Sequence, residues 1–124
     1  MKKLLTQVTK IIKALNKNAL NFSSEDKFDG DNSFVTHDIA GHSIIINDDN
    51  DKQCIVNLDH ISVNDSTYVT HEALTTILCT VLGPQTKIAH SSLYSINIWT
   101  PPCKNIFIRH YEHSIEIVQT YTKR

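Results

Sequence analysis

Seven histidines and thirteen acids stand in a chain of 124 residues, and a histidine beside a carboxylate is common material for acid–base catalysis. Two adjacent pairs, His37-Asp38 and Asp59-His60, supply both groups. Adjacent residues on a strand point to opposite faces, so neither pair can act as a unit there. No GxSxG elbow, cysteine motif or glycine-rich phosphate loop accompanies them. A small enzyme with a His/Asp site assembled only in three dimensions remains the alternative hypothesis.

The histidines also raise the question of a metal site. His110 and His113 are three residues apart, and on a continuous strand that offset points them to opposite faces. His37 and His42 could lie at the ends of neighbouring strands. Neither pair has a third ligand at a recognisable spacing, and no HExxH motif or Cys/His finger is present.

The acidic run at residues 48–51 supplies oxygen ligands, yet it lacks the pattern of a calcium loop. An EF-hand loop has a glycine at its sixth position and a glutamate at its twelfth. Counted from Asp48, those positions hold Gln53 and Asp59. We therefore predict no metal ion and no cofactor.

The strongest pattern is a segregation of charge. Residues 1–22 carry five lysines and no acid, and residues 23–72 carry eleven acids and two lysines. Residues 73–124 carry five cations and two acids. The net charge of −1 is therefore the sum of basic end segments and a strongly acidic middle segment. If the middle segment forms one surface, its negative potential favours a basic partner. The predicted partner-binding residues are Asp29, Asp31, Asp48, Asp49, Asp51, Asp59 and Asp65.

These charges lead to a functional hypothesis, namely a small acidic-surfaced binding protein. By analogy at the level of protein class, it is an immunity or inhibitor protein of bacterial type that blocks a basic partner such as a nuclease toxin. An acidic secretion chaperone is a further alternative. We predict no nucleic-acid partner, because Glu112 and Glu116 interrupt the cations of the last third. The sequence leaves the oligomeric state open.

The cysteines and the first residues bear on the compartment. Cys54, Cys79 and Cys103 form an odd set without CxxC spacing, which is typical of reduced thiols in a cytoplasmic protein. Polar residues interrupt the start of the chain before an apolar signal region can form, and no apolar run is long enough to span a membrane.

Two helices are predicted. Apolar residues at helical spacing with lysines opposite indicate an amphipathic helix over residues 2–20. Thr70 and the stop at Gly83-Pro84 bound a second helix over 71–82. The residues expected to be buried are Leu5, Ile12 and Leu15 in the first helix and Leu74, Leu78 and Val81 in the second.

The remaining chain reads as strands. Residues 21–33 look like a surface loop, and strands are predicted over 34–39, 42–47, 53–58, 93–100, 106–111 and 115–121, with a further short strand over 61–63 as an open alternative. Around Glu112-His113 we expect a hairpin in which Arg109 faces Glu116, with a loop of two or four residues. The fold class is α+β, with an antiparallel sheet of about five to six strands and two helices packed on one face. Residues 1–124 are predicted to form a single domain.

Overall fold

The computed structural model describes residues 2–24, 33–48, 53–64, 66–90, 95–101 and 105–120. These residues form an α+β fold of two helices and nine strands, which confirms the predicted class. In chain order the elements are α1 Lys2–Lys17, β1 Asn21–Ser23, β2 Ser33–Ile39, β3 His42–Asp48, β4 Gln53–Asn64, β5 Thr67–Tyr68, α2 His71–Leu82, β6 Lys87–His90, β7 Ser95–Trp99, β8 Ile106–His110 and β9 Ile115–Thr120.

The first helix ends earlier than its apolar pattern suggests. Ala19 has a left-handed backbone with φ 56°, and its N–H donates to the Asn16 carbonyl. The Leu20 N–H donates to the Leu15 carbonyl, which completes a Schellman-type end. Leu20 then folds back into the core. No glycine marks this turn, so the predicted end at residue 20 is three residues too late.

The second helix has the predicted bounds. The Thr70 hydroxyl accepts from the Ala73 N–H at 3.1 Å and caps the first turn. Gly83 adopts φ 82°, and its N–H donates to the Cys79 carbonyl. Both ends are determined by the residues next to the helix, the hydroxyl of Thr70 and the positive φ of Gly83. For that reason the sequence alone located them.

The main sheet is antiparallel with the strand order β2-β3-β4-β9-β8-β7-β6. The β2–β3 hairpin turns at Ala40 and Gly41, both with positive φ, as a tight two-residue hairpin requires. In the C-terminal hairpin Arg109 faces Glu116, which confirms the predicted register. The strands end at His110 and Ile115, and a Tyr111 N–H to Ser114 carbonyl bond closes the turn between them.

The long strand β4 supplies the edges along which two strands that were not predicted, β1 and β5, are added to the fold. It merges the two strands predicted over 53–58 and 61–63, with His60 at φ 53° between them. Its first half pairs with β9, and its second half pairs with β1 and β5. Residues 21–23, predicted as loop, therefore form β1. The described chain has nine strands rather than five to six, with seven in the main order.

Both helices pack on the same face of the sheet, as predicted. Val56, Ile117 and Ile108 are successive cross-strand neighbours, so their side chains point to one face. They share a buried cluster with the apolar stripes of α1 and α2. Of the predicted core residues, Ile12, Leu15, Leu74 and Leu78 are buried, whereas Leu5 and Val81 are half-buried at the margins of their helices.

Candidate functional sites

The acidic residues predicted to bind a partner are described only in part. Asp29, Asp31, Asp49, Asp51 and Asp65 lie outside the described residues. Asp48 is half-buried at the end of β3, opposite Cys54 of β4. Asp59 follows Cys54 by five residues along the same strand, which corresponds to roughly 16 Å at the usual rise. Asp48 and Asp59 therefore do not form one cluster.

Asp59 also has the wrong environment for a contact residue. Only 4% of it is exposed, because β1 covers this part of β4 and the Ser23 hydroxyl donates to the Asp59 backbone carbonyl. A carboxylate in that position cannot meet a partner's surface without local opening. Asp59 is for this reason left out of the interface proposed below.

An exposed group of rings lies where the β4–β5 hairpin meets the β8–β9 turn. We name His60, Tyr68 and His113 the Tyr68 surface. The Tyr68 and His113 rings stack with centroids 4.0 Å apart and planes 13° apart. The Tyr68 hydroxyl lies 3.4 Å from Nδ1 of His60. Although it has these contacts, 53% of Tyr68 is exposed, and the exposed Val63 belongs to the same hairpin.

Backbone hydrogen bonds fix the two segments that carry these rings. The Ile61 N–H donates to the His113 carbonyl at 2.9 Å, which joins β4 to the β8–β9 turn. The Val69 N–H donates to the Ile61 carbonyl at 3.0 Å, which joins the end of β5 to the same residue. The side chain of Asn64 accepts from the Ser66 N–H and stabilises the hairpin tip. The backbone segments that carry the stacked rings are thus joined to each other by hydrogen bonds.

The described segments that carry the Tyr68 surface hold one exposed acid and no unpaired cation. The chain has no lysine or arginine between Lys52 and Lys87. Glu112 is exposed beside His113 in the turn. Arg109 precedes the turn, but its Nη1 lies 2.6 Å from Oε1 of Glu116, and its guanidinium sits 4.6 Å above the Phe107 ring. The nearby cation is therefore neutralised by its own partner.

A second polar group is buried under the N-terminal end of α2. The rings of His71 and His110 stack with centroids 4.3 Å apart and planes 15° apart. Asn97 of β7 lies beside them, with Nδ2 at 2.9 Å from Oγ1 of Thr75, 3.3 Å from Nδ1 of His110 and 3.4 Å from Nε2 of His71. We name these four residues the histidine cluster.

The hydrogen bonds define the protonation of His110. Its Nε2 lies 3.1 Å from the Glu112 carbonyl oxygen, which can only accept, so Nε2 carries the proton and Nδ1 accepts from Asn97. Burial lowers the pKa of His110 from 6.5 to about 4; the bond to Glu112 opposes that shift and the neighbouring His71 adds to it. His110 is fully buried and neutral at pH 7.

The cluster does not assemble the predicted His/Asp site. Within the described chain its histidines contact an amide, a hydroxyl and a backbone carbonyl rather than a carboxylate. The Thr75 hydroxyl donates to the His71 carbonyl at 2.8 Å and is committed to the helix backbone. Nδ1 of His110 lies 3.4 Å from this hydroxyl, but the hydroxyl proton is directed at the helix carbonyl and not at that nitrogen, as it would be in an activated nucleophile. These contacts indicate a polar cluster that joins the N-terminal end of α2 to the sheet.

Sequence reasoning overlooked this cluster for a definable reason. His110 follows Ile106 and Ile108 at a spacing of two, and all three are buried. That alternation could have placed His110 on the core face. Nothing in the sequence links it to His71, because one residue begins a helix and the other ends a strand from a different part of the chain.

Neither the Tyr68 surface nor the histidine cluster includes a cysteine. Cys54 is buried in the core and Cys79 is half-buried, and Cys103 lies outside the described residues. Among the residues that the structure describes, no three His, Cys, Asp or Glu side chains are grouped so that they could hold a metal ion. Neither described helix has the length and apolar character needed to cross a bilayer.

Comparison with protein-family models, with curated proteins and with solved structures gave no significant match. The functional argument therefore depends on the two sites themselves.

Proposed function

We propose that this protein binds a basic protein partner through the Tyr68 surface and acts as an immunity or inhibitor protein. The observation that supports the proposal is that Tyr68 is more than half exposed while its ring is already held against His113. Tyrosine is enriched among the residues that dominate binding energy at protein interfaces. A ring that is fixed before binding loses little conformational freedom when a partner covers it.

The expected charge of the partner follows from the charges around Tyr68. The segment that supplies His60 and Tyr68 contains no lysine or arginine, and Glu112 is exposed in the adjoining turn. A basic surface would be attracted to this region and would reach it faster at low ionic strength. Asp48, Asp49 and Asp51, with Asp29, Asp31 and Asp65, would add attraction at longer range.

A nuclease toxin is the partner class that this charge suits best. A cleft that binds a polyanionic substrate must itself be basic, and an acidic protein seated over it excludes the substrate. On this proposal the protein performs no chemistry, and inhibition follows from occupation of the cleft.

The test compares three baits in a pull-down from the native host. They are the wild-type protein, Tyr68→Ala and Phe34→Ala, the last a matched control because Phe34 is 57% exposed on the edge strand β2. We expect at least one basic protein to be retained by the wild type and by Phe34→Ala and lost with Tyr68→Ala. Retention should weaken at high salt.

A retained protein is then assayed for nuclease activity with increasing amounts of each bait. Inhibition by the wild type and Phe34→Ala, but not by Tyr68→Ala, is the expected result. If every retained protein binds Tyr68→Ala as well as it binds the wild type, the Tyr68 surface is not the interface. A retained nuclease that stays fully active when saturated with wild-type protein would contradict the inhibitory role.

A further inference from the structure

An open depression of about 460 Å³ lies between α2 and strands β6 and β7, within the size range of ligand sites. His71, Glu72, Thr75 and Thr76 line it from the helix, and Gln85, Ile88 and Asn97 line it from the sheet side. Three of these residues, His71, Thr75 and Asn97, also belong to the histidine cluster. The depression therefore lies directly over a rigid polar support.

Several polar side chains of the lining already use their hydrogen-bond donors within the protein. The Thr75 hydroxyl donates to the His71 carbonyl, and the Thr76 hydroxyl donates to the Glu72 carbonyl. The Asn97 amide N–H groups are directed at Thr75 and the two histidines. A ligand that bonds to Thr75, Thr76 or Asn97 must consequently bring donors of its own.

Two further acceptors of the lining are candidates for such donors. Oε1 of Gln85 is buried and has no hydrogen-bond partner among the described residues, which is costly unless a donor arrives. The Glu72 carboxylate is exposed at the first turn of α2. No lysine or arginine lines the depression, so its local charge favours a cation.

The shape of the expected ligand follows from His71. One face of its ring is covered by His110, and Asn97 restrains its edge. The residue is half-buried and lines the depression, so the second ring face is the one that a bound group can cover. A planar group gains most from such a platform, and the guanidinium of arginine is planar, cationic and supplies five N–H donors.

We propose that this depression binds the guanidinium group of an arginine side chain, which stacks on His71 and donates to Oε1 of Gln85 and to the Glu72 carboxylate. The source of that arginine rests on the proposed function, since a basic protein partner would supply it. The β8–β9 turn contacts the supports of both sites, because its Glu112 carbonyl bonds to His110, on which His71 stacks, and its His113 stacks on Tyr68. One partner could therefore engage the Tyr68 surface and the depression together.

The test titrates full-length, isotopically labelled protein at pH 7.5 with Nα-acetyl-arginine amide and, separately, with Nα-acetyl-lysine amide. We expect saturable NMR shifts of the His71 ring and the Gln85 amide with the arginine compound. Affinity for the lysine compound should be about tenfold weaker, because an ammonium group can neither stack as a plane nor form a fork of donors.

Variants of the lining assign the contacts. Gln85→Leu and Glu72→Gln should each weaken arginine binding, and Gln85→Glu should strengthen it by adding a charge at the orphaned acceptor. Thr80→Ala, an exposed position of α2 outside the lining, should leave binding unchanged. The proposal is overturned if no saturable shift occurs, if lysine binds equally well, or if Gln85→Leu and Gln85→Glu both bind as the wild type does.

Tyr68→Ala separates this inference from the proposed function. The arginine titration should be unaffected by Tyr68→Ala, because Tyr68 does not line the depression. If arginine fails to bind while Tyr68→Ala still loses the partner, only the arginine site is contradicted. If arginine binds while Tyr68→Ala keeps the partner, the arginine site stands and the proposed interface is contradicted.

Discussion

The ring of His71, at the first residue of α2, stacks on the ring of His110, at the last residue of β8, with 4.3 Å between centroids. This contact joins the helical layer to the sheet through polar groups rather than through the apolar core. Asn97 holds the pair by directing its amide nitrogen at a nitrogen of each ring. The arrangement requires His110 to be neutral, since its Nδ1 must accept a hydrogen bond.

Stability should fall in acid because of His110. Its pKa is lowered to about 4 in the folded protein and returns to its ordinary value of 6.5 in the unfolded chain. Between these values the unfolded chain binds a proton that the folded protein does not. The contribution of His110 is complete above pH 6.5 and is lost as the pH falls toward 4, a loss on the order of 3 kcal/mol.

Two measurements check the His110 prediction. NMR titration should show the His110 ring neutral at pH 5.5, and urea unfolding from pH 7.5 to 4.5 should show a steeper loss for the wild type than for His110→Phe. His37→Phe, on β2, serves as the control and should keep the wild-type slope. A His110 ring that titrates near 6.5 would contradict the prediction whether or not His110→Phe folds.

Asn97→Ala should destabilise the protein by about 1–3 kcal/mol, because it leaves the buried Nδ1 of His110 without a donor. Urea unfolding at pH 7.5 measures the change, with the exposed Asn21→Ala as the matched control. The wild-type ¹⁵N spectrum should also show His110 as the Nε2-protonated tautomer. Equal costs for the two alanine variants would mean that Asn97 does not support the histidine pair.

Leu78→Ala should lower the free energy of unfolding by roughly 2–5 kcal/mol, the usual range for a fully buried leucine. Leu78 packs in the cluster that joins α2 to α1 and the sheet. Thr80→Ala, on the exposed side of the same helix, should cost little by comparison. Denaturant unfolding of the two variants measures these losses. A loss in the free energy of unfolding below about 0.5 kcal/mol for Leu78→Ala would mean that α2 does not pack as described.

Changing Asp48, Asp49 and Asp51 together to Asn should slow association with the partner and flatten its dependence on salt, while folding stays intact. Asp48 is half-buried and the other two lie outside the described residues, so their role depends on long-range charge. Association kinetics at two ionic strengths provide the measurement. Unchanged rates would contradict a role of these three acids in attracting the partner.

Local chemistry explains which parts of the fold the sequence predicts. The bounds of α2 depend on Thr70 and Gly83, both at the helix ends, and were predicted correctly. The register of the C-terminal hairpin depends on the pairing of Arg109 with Glu116 across a short turn, and it was also predicted. Each of these features is determined by residues that are close together along the chain.

The short strands could not be predicted in the same way. Strands β1 and β5 contain three and two residues, too few to show an alternating pattern. They exist because the second half of β4 offers a hydrogen-bonding edge to each of them. β5 follows β4 through a short hairpin, whereas β1 comes from a segment far from β4 in sequence. The early end of α1 likewise depends on the burial of Leu20 in the core.

The sequence by itself determined the α+β class, the second helix, the C-terminal register and the segregation of charge, because each is encoded in spacing, caps or composition. It gave equal weight to seven acids, and only the tertiary structure removed Asp59 by burying it under β1. The Tyr68–His113 and His71–His110 stacks were also decided by tertiary structure. A ring contact is a relation between two surfaces, and no local pattern specifies which distant strand or turn will supply the second ring.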